Sequence, residues 1–411
     1  MTDRPAPVAW KLPMRGRDPN EPHRASTPLE LFFDLCFVVA VSAASAGLHK
    51  ALAGGHVAEG AFGFIVVFFG IWWPWVNFTW FASAYDTDDV IYRLLTFVLM
   101  AGVLVVAAGV PSAFESDFRV TVVGYVIMRL ALVALWLRAA GDDPARRPTA
   151  LRFAGGVALL QVLWVLRIPI PAPIGVVLFI ALGVSEMLVP VWAQRSGGRR
   201  TPWHAEHIAE RYGLFTIIVL GECMLATTTA IQAALADGGL SAALLGVAIG
   251  GLLLVLAGWW AYFKHSTHIA ERRESPAYAF AWGYGHVVVF ASAAALGAGL
   301  QVAVDETHGG IALDPVLAAM TVAVPVSIYL LSVGTLHASE ASRRTFATIG
   351  GGVALVLAIA LATPILGLSL AVPLMGVVVV LLLVVGRIRD GARAPAVTLG
   401  PARPEGEALA P

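Results

Sequence analysis

The sequence predicts an all-α membrane protein, a polytopic bundle of about twelve transmembrane helices, and three observations lead to this class. Of its 411 residues, 58% are hydrophobic and only 13% are charged, whereas about 25% of the residues of a soluble domain are charged. The mean hydropathy is +0.78. The apolar residues fall into runs of about 20, the length at which a helix crosses the ~30 Å hydrocarbon core of a bilayer.

Twelve apolar runs are long enough to span. They lie near residues 28–48, 60–80, 91–110, 118–138, 150–167, 172–193, 210–232, 241–264, 277–302, 314–336, 346–363 and 369–387. Only the Pro- and Gly-containing turn at 363–369 separates the last two. Residues 1–26 form a polar, basic tail without the apolar core of a signal peptide. Residues 388–411 are rich in Pro, Gly, Ala and charge and are predicted to be a disordered cytoplasmic tail.

The basic residues predict the orientation in the membrane. A cytoplasmic N-terminus puts all but four of the 27 Lys and Arg residues on the cytoplasmic side; the exceptions are Lys50, Arg119 and Arg167 on the other side and Arg129 within the fourth span. Cytoplasmic segments carry the excess of basic residues in membrane proteins, so both termini are predicted to be cytoplasmic. A net charge of zero argues against a nucleic-acid partner. The expected partners are the lipid bilayer and a small cation or solute, and a homo-oligomer is compatible with the sequence.

Two short patterns recur in the two halves of the chain. The fifth span contains GGVALL at 155–160 and the eleventh contains GGVALV at 351–356, while the Trp pair at 72–73 in the second span is echoed at 259–260 in the eighth. These echoes predict two six-helix repeats in parallel orientation, 27–195 and 209–387, joined by a cytoplasmic linker at 196–208. Chance recurrence of Gly- and Ala-rich runs is the alternative. Transporters with such repeats bind their substrate between them, near mid-membrane.

Carboxylates inside the spans are the main candidates for a functional site. Glu30 and Asp34 lie four residues apart at the start of the first span, and Glu222 lies near the middle of the seventh. A charge at the bilayer centre costs roughly 2.5–3.5 kcal/mol on insertion scales, so such residues face a partner, a cavity or a transported ion. Thr27 and Pro28 also form a helix start with Glu30, so capping is the alternative for Glu30.

Several charged residues are candidate partners of these acids. Arg129 is expected to pair with Glu222 or Glu186, and such a pair would only hold the bundle together. His286 in the ninth span is the second candidate partner of Glu222, with an interhelical hydrogen bond as the alternative.

At the cytoplasmic face we expect His207 to support the site and Arg211 to orient Glu210. After the second span, Asp86, Asp88 and Asp89 precede Arg93. They predict a vestibule that attracts cations near Glu30 and Asp34; a solvated loop is the alternative.

Histidines and tryptophans complete the candidate residues. His265 and His268 follow the eighth span, and His204, His207 and His337 are predicted at the same face. An isolated pair spaced HxxH is a weak metal signal, so we predict no metal site, cofactor or catalytic residue. Six tryptophans near the cytoplasmic ends of their spans are predicted to form an interfacial belt: Trp72, Trp73, Trp75, Trp80, Trp259 and Trp260.

Three motifs carry a family resemblance. They are TPLELFFD at 27–34, DTDD at 86–89, and HIAERYGLF at 207–215 followed by Gly221-Glu222. Together they resemble the bacterial low temperature requirement protein A family, and YGH at 284–286 is similar to its ninth helix. The resemblance covers the chain from Ser26 to the last span and implies a multipass protein of the bacterial inner membrane linked to growth in the cold. It implies no reaction. Cys223 and residues 264–268 depart from the family pattern.

The residues favour a transporter or channel that moves a small cation or solute. FFDLCF at 32–37 has a fainter similarity to the Phe-Ser-Asp motif of the lysosomal potassium channels that lack a P-loop, which also points to ion conduction. The predicted path comprises Asp34, Glu222, Glu30, Asp86, Asp88, Asp89, Glu210, Arg211 and His286, with Arg129, Glu186, Arg93 and His207 as supporting charges. The alternatives are a membrane-embedded enzyme that uses the cytoplasmic-face histidines and a structural protein of membrane homeostasis.

Overall fold

The computed structural model describes residues 9–22, 24–171, 173–264, 275–309, 313–336 and 343–391, and within these ranges the chain forms thirteen helices and no strand. The helices are α1 (Pro28–Ala53), α2 (Val57–Tyr85), α3 (Val90–Phe114), α4 (Arg119–Asp142), α5 (Arg147–Arg167), α6 (Ile174–Ala193), α7 (Ala205–Gly238), α8 (Ala242–Phe263), α9 (Pro276–Glu306), α10 (Pro315–Leu336), α11 (Arg343–Leu361), α12 (Thr363–Leu366) and α13 (Leu368–Gly391). The predicted helical bundle is confirmed.

Eleven of the described helices are long and apolar enough to cross a membrane, so the chain is a multipass membrane protein. They are α1–α10 and α13, and α11 contributes a shorter apolar stretch, Phe346–Leu361. The short α12 and Gly367, with φ of 72°, form the predicted turn before the last span.

The helices pack in a similar order in the two halves. In the first half α1 packs against α2 and α3, and α3, α4, α5 and α6 follow as successive neighbours. In the second half α7 packs against α8 and α9, and α9, α10, α11 and α13 follow in the same way, while α8 also packs against α13, a pair without a counterpart between α2 and α6 among the described residues. The halves meet where α1 contacts α7 and α9 and where α2 contacts the same two helices.

Glycines allow the closest helix pairs to approach. An ideal Cβ at Gly124 on α4 would lie 2.6 Å from the carbonyl oxygen of Gly102 on α3. An ideal Cβ at Gly299 on α9 would lie 2.1 Å from the carbonyl oxygen of Thr321 on α10. Small residues at helix contacts are typical of membrane bundles, where close packing replaces the hydrophobic effect.

The tryptophans of α2 point inward. Trp72, Trp73 and Trp75 are at most 1% exposed, whereas Trp259 and Trp260 on α8 are 49% and 37% exposed. The predicted belt is therefore wrong for Trp72, Trp73 and Trp75, while Trp80, also on α2, is partly buried and donates to the hydroxyl of Tyr212. The reason is position: α2 packs against α1, α3, α4, α7 and α9, so its indoles lie inside the bundle.

The segment before α1, residues 9–22 and 24–26, lies across the ends of the helices, and we call it the N-terminal strap. Leu12 N donates to Asp89 Oδ2 at 2.7 Å and Met14 N donates to Asp142 Oδ2 at 3.0 Å. The Met14 side chain is fully buried. Arg24 donates to the carbonyl oxygens that end α2. The strap therefore covers the helix ends beside Glu30.

Candidate functional site

Two acids of α1 and two bases of α7 form a buried cluster near the N-terminal ends of both helices. Asp34 Oδ1 accepts hydrogen bonds from Arg211 Nη2 at 2.5 Å and from the indole Nε1 of Trp75 at 2.7 Å. Arg211 Nη1 lies 3.0 Å from Glu30 Oε1, and His207 Nε2 lies 3.2 Å from the same oxygen. Each of the four ionisable side chains is at most 1% exposed.

The cluster follows from the spacing of the residues on each helix. Glu30 and Asp34 are four residues apart and share a face of α1, and His207 and Arg211 share a face of α7 for the same reason. Glu30 also completes the capping box of α1, because its Oε2 accepts from Thr27 N at 2.9 Å while Thr27 Oγ1 accepts from Glu30 N. The capping alternative for Glu30 is confirmed, and Glu30 pairs with the bases of α7 as well.

Arg211 does not contact Glu210, the residue that we expected it to orient. Its guanidinium lies against Glu30 and Asp34, whereas Glu210 is exposed and accepts a hydrogen bond from Ser26 N at 3.0 Å. Consecutive residues on a helix point in different directions, which corrects the expectation that Arg211 orients Glu210.

The cluster carries an excess of negative charge. With His207 neutral, the carboxylates of Glu30 and Asp34 face the single positive charge of Arg211. A buried net charge is costly, so this arrangement favours uptake of a proton or another cation.

The three acids that follow α2 do not line an open vestibule. Asp88 binds Arg93 through two hydrogen bonds of 2.8 and 2.9 Å. Asp89 is fully buried, pairs with Arg138 and caps α3 by accepting from Tyr92 N. Asp86 is 8% exposed beneath the N-terminal strap. The expected vestibule is corrected, because Asp88 and Asp89 are engaged in ion pairs and the N-terminal strap covers Asp86.

Among the three acids that follow α2, Asp86 has the largest shift in pKa. Burial, followed by the nearby charge of Glu30, raises the pKa of Asp86 to about 6. Arg17 Nη1 lies 3.9 Å from Asp86 Oδ2, and this distance is too long for a direct hydrogen bond. Asp86 therefore titrates nearer to neutral pH than an ordinary aspartate.

Glu222 is a buried carboxylate without a cationic partner among the described residues. It lies on α7, is 8% exposed, and is close to the hydroxyl of Ser42 on α1. A carboxylate in this position is stable when it is protonated or when a cation binds beside it.

The two partners expected for Glu222 have other contacts. Arg129 Nη2 donates to Glu186 Oε2 at 2.5 Å, and Glu186 also accepts from Trp73 at 3.0 Å and from Gln161 at 3.1 Å. The pairing of Arg129 with Glu186 is thus confirmed over the pairing with Glu222. This second cluster joins α2, α4, α5 and α6, away from α1 and α7.

His286 makes hydrogen bonds within the second half of the chain. Its Nε2 lies 3.1 Å from the hydroxyl of Tyr262 on α8, and its Nδ1 lies 2.7 Å from the carbonyl oxygen of Trp282. The ring also packs against Tyr212 with the centroids 4.9 Å apart. These contacts match the alternative in which His286 is an interhelical hydrogen-bonding residue.

A further polar pair lies at the other end of α1, and the sequence analysis missed it. His49 Nε2 lies 2.7 Å from Asp305 Oδ2 on α9, and both side chains are partly exposed. His49 lies seven residues after Ser42, which places the two on a common side of α1. The seven-residue spacing of Ser42 and His49 could have indicated from the sequence that both lie on one side of α1. It could not identify Asp305 on α9 as the partner of His49.

Polar groups therefore recur along α1 from end to end, facing α7 in three pairs and α9 in the fourth. We call the set the polar line; it comprises Glu30 with His207, Asp34 with Arg211, Ser42 with Glu222, and His49 with Asp305. From Glu30 to His49 the line spans about 28 Å along α1 at ~1.5 Å per residue, close to the thickness of the hydrocarbon core.

The described residues contain no group of three or more His, Cys, Asp or Glu side chains arranged to hold a metal ion. His204 Nε2 lies 2.8 Å from the carbonyl oxygen of Glu21, and His207 belongs to the polar line. His265, His268 and His337, on which the enzyme alternative depends, lie outside the described residues.

Comparison with known proteins gives one family. Residues 25–385 match the model of the bacterial low temperature requirement A proteins, which confirms the resemblance carried by the three motifs. An uncharacterized protein of Rhizobium meliloti (strain 1021) is 31% identical over 280 residues, which cover 65% of this chain and 66% of that protein. The matched segment thus spans just under two thirds of that relative. No solved structure matches the chain.

Proposed function

The chain belongs to the bacterial low temperature requirement A family, and on that premise we propose that it is a transporter or channel that moves a small cation, protons included, along the polar line. The observation that carries the proposal is Glu222. It is a buried carboxylate with no cationic partner among the described residues, close to the hydroxyl of Ser42, and it lies between charged pairs at the two ends of α1. A proton or cation is the partner that this position lacks.

The end near the N-terminal strap has the properties of a closed gate. Arg211 holds Asp34 at 2.5 Å and Trp75 donates to the same oxygen, so a cation that reaches Asp34 must displace Arg211. The excess negative charge of the cluster attracts that cation. In the proposed cycle, Asp34 exchanges a cation at the gate and Glu222 receives it at mid-membrane.

The proposed architecture is two parallel six-helix repeats in the bacterial inner membrane, with both termini cytoplasmic. The similar packing order of α1–α6 and of α7–α13 supports the repeats. The N-caps of α1 and α7 are Thr27 and His204. Glu30 and His207 each lie three residues after these caps and face each other, which is the relation expected of two equivalent helices running in the same direction.

The test is cation flux into proteoliposomes that contain the full-length protein. We expect the wild type to conduct H⁺, Na⁺ or K⁺, and Glu222→Gln to abolish the flux without a loss of thermal stability, because it removes a buried charge that pairs with no cation. Asp237→Asn is the matched control, since it removes an acid at the exposed end of the same helix. Flux that persists in Glu222→Gln, or that is absent in the wild type for all three ions, would overturn the proposal.

A further inference from the structure

Six arginines lie on two segments that meet at one corner of the bundle, the start of α5 and the segment between α6 and α7. We call this set the arginine corner; it comprises Arg146, Arg147, Arg152, Arg195, Arg199 and Arg200. The general excess of basic residues on one side of a membrane protein explains why arginines lie on this face. It does not explain why six of them lie together.

Hydrogen bonds hold the two segments of the corner together. Arg199 N donates to the carbonyl oxygen of Ala145 at 3.2 Å, and Arg146 Nε donates to the carbonyl oxygen of Arg200 at 3.0 Å. The hydroxyl of Thr149, which is fully buried, donates to the carbonyl oxygen of Arg199 at 3.0 Å. The backbone therefore fixes the positions from which the arginine side chains extend.

The positive charge of the corner is poorly compensated. Arg146 pairs with Asp143 at 2.9 Å, but none of the other five guanidinium groups has a carboxylate partner among the described residues. Arginines elsewhere on this face do have partners, such as Arg93 with Asp88. Uncompensated like charges repel each other, so a bound anion would stabilise the corner.

Trp192 places the corner at the level of lipid headgroups. It lies in the last turn of α6 and is 50% exposed, and the guanidinium of Arg152 lies 5.1 Å from its ring centroid. Arg152 Nη1 also donates to the Trp192 carbonyl oxygen at 3.3 Å. Leu188, one helical turn earlier, is 56% exposed on the lipid side. Exposed tryptophans at the ends of spans lie at the membrane interface, so the neighbouring arginines reach the depth of the phosphates.

We propose that the arginine corner is a binding site for an anionic phospholipid headgroup, with phosphatidylglycerol or cardiolipin as the class of ligand. Guanidinium groups bind phosphate oxygens through paired hydrogen bonds, and clusters of four to eight basic residues beside a span are typical of anionic-lipid recognition. Arg199 and Arg200 are exposed and supply the charge that is free to meet the phosphate. This site is independent of the polar line and of any transport.

The experiment is lipid titration of the full-length protein in detergent, followed by native mass spectrometry. Wild type is expected to retain phosphatidylglycerol in preference to phosphatidylcholine, and the preference should fall as salt rises. The double variant Arg199→Gln/Arg200→Gln should weaken phosphatidylglycerol binding about 30-fold, which corresponds to ~1 kcal/mol for each arginine. The control Lys50→Gln/Arg119→Gln removes the same charge at the other end of the bundle and should leave binding unchanged.

Three outcomes would overturn the assignment. They are equal retention of the two lipids by the wild type at low salt, equal losses in the control and the test variant, and displacement of the lipid by millimolar inorganic phosphate. The last result would identify a site for soluble anions. The salt series on the wild type requires no substitution, so it tests the site even if the double variant fails to fold.

Discussion

Asp86 gives the protein a pH-dependent stability that one substitution should remove. The carboxyl group lies beneath the N-terminal strap and is 8% exposed, and its Oδ1 accepts from Asp88 N at 3.1 Å. Burial and the charge of Glu30 raise the pKa of Asp86 from an ordinary 3.8 to about 6 in the folded protein. This difference corresponds to roughly 3 kcal/mol, because each pKa unit is worth about 1.36 kcal/mol.

The sign of the effect follows from proton binding. Between pH 3.8 and about 6 the folded state holds a proton on Asp86 that the unfolded state has released. Stability therefore falls as pH rises through this window, and above it the ionised carboxylate costs the folded state up to about 3 kcal/mol. Asp86→Asn keeps an acceptor for Asp88 N and removes the ionisation, so it should stabilise the protein at pH 7.5 and have little effect near pH 4.

Thermal unfolding of the full-length protein in detergent, followed from pH 4 to pH 8, measures this effect. The melting temperature of the wild type should fall relative to that of Asp86→Asn as pH rises, with the curves converging at the acidic end. Asp88→Asn is the control, because it removes a nearby exposed acid that pairs with Arg93. The reasoning is refuted if Asp86→Asn is less stable than the wild type at pH 7.5, which would make the ion pair with Arg17 the dominant contribution.

Variants of the Arg129–Glu186 pair and of the N-cap Thr27 give two further predictions, both tested by thermal unfolding in detergent. Glu186→Gln leaves the charge of Arg129 buried without a counter-ion and should destabilise the protein by about 3–5 kcal/mol. The double variant Arg129→Met/Glu186→Met should cost much less than Arg129→Met and Glu186→Met added together. Additive losses would contradict the pairing. Thr27→Ala removes the N-cap of α1 and should cost ~1 kcal/mol, while Thr27→Ser should be nearly neutral; equal losses for both would show that the capping hydroxyl is not the stabilising group.

The parts of the fold that depend on local sequence were predictable. Runs of about 20 apolar residues specify spans without reference to the rest of the chain, and the turn before α13 is marked by Pro364 and Gly367. The capping box at Thr27 and Glu30 is likewise a short-range signal that the structure confirms. In each case the residues that decide the structure lie within one or two helical turns of each other.

Where the site depends on pairs between distant parts of the chain, the sequence identified the charged residues but not most of their partners. The sequence identifies Asp34, Glu186 and Arg129 as costly charges, and the structure shows that each is part of a buried pair. The sequence contained no indication that Trp73 and Trp75 donate to Glu186 and Asp34, because a tryptophan in an apolar run can lie at the membrane interface or in the core of the bundle. Which face of α2 is buried is decided by its neighbours.

The pairing of α1 with α7 places opposite charges at equivalent positions of the two helices, which a dimer of identical halves cannot do. Asp34 and Arg211 each lie seven residues after the N-cap of their helix, and they face each other directly. Across the two-fold axis of a homodimer a residue in this position meets its own copy, so a buried aspartate would meet a buried aspartate at a high electrostatic cost. In one fused chain under the proposed repeat, the two positions hold opposite charges. The gate that we propose at Asp34 would therefore be available only to the fused form, in which one helix supplies the acids and its proposed equivalent supplies the base.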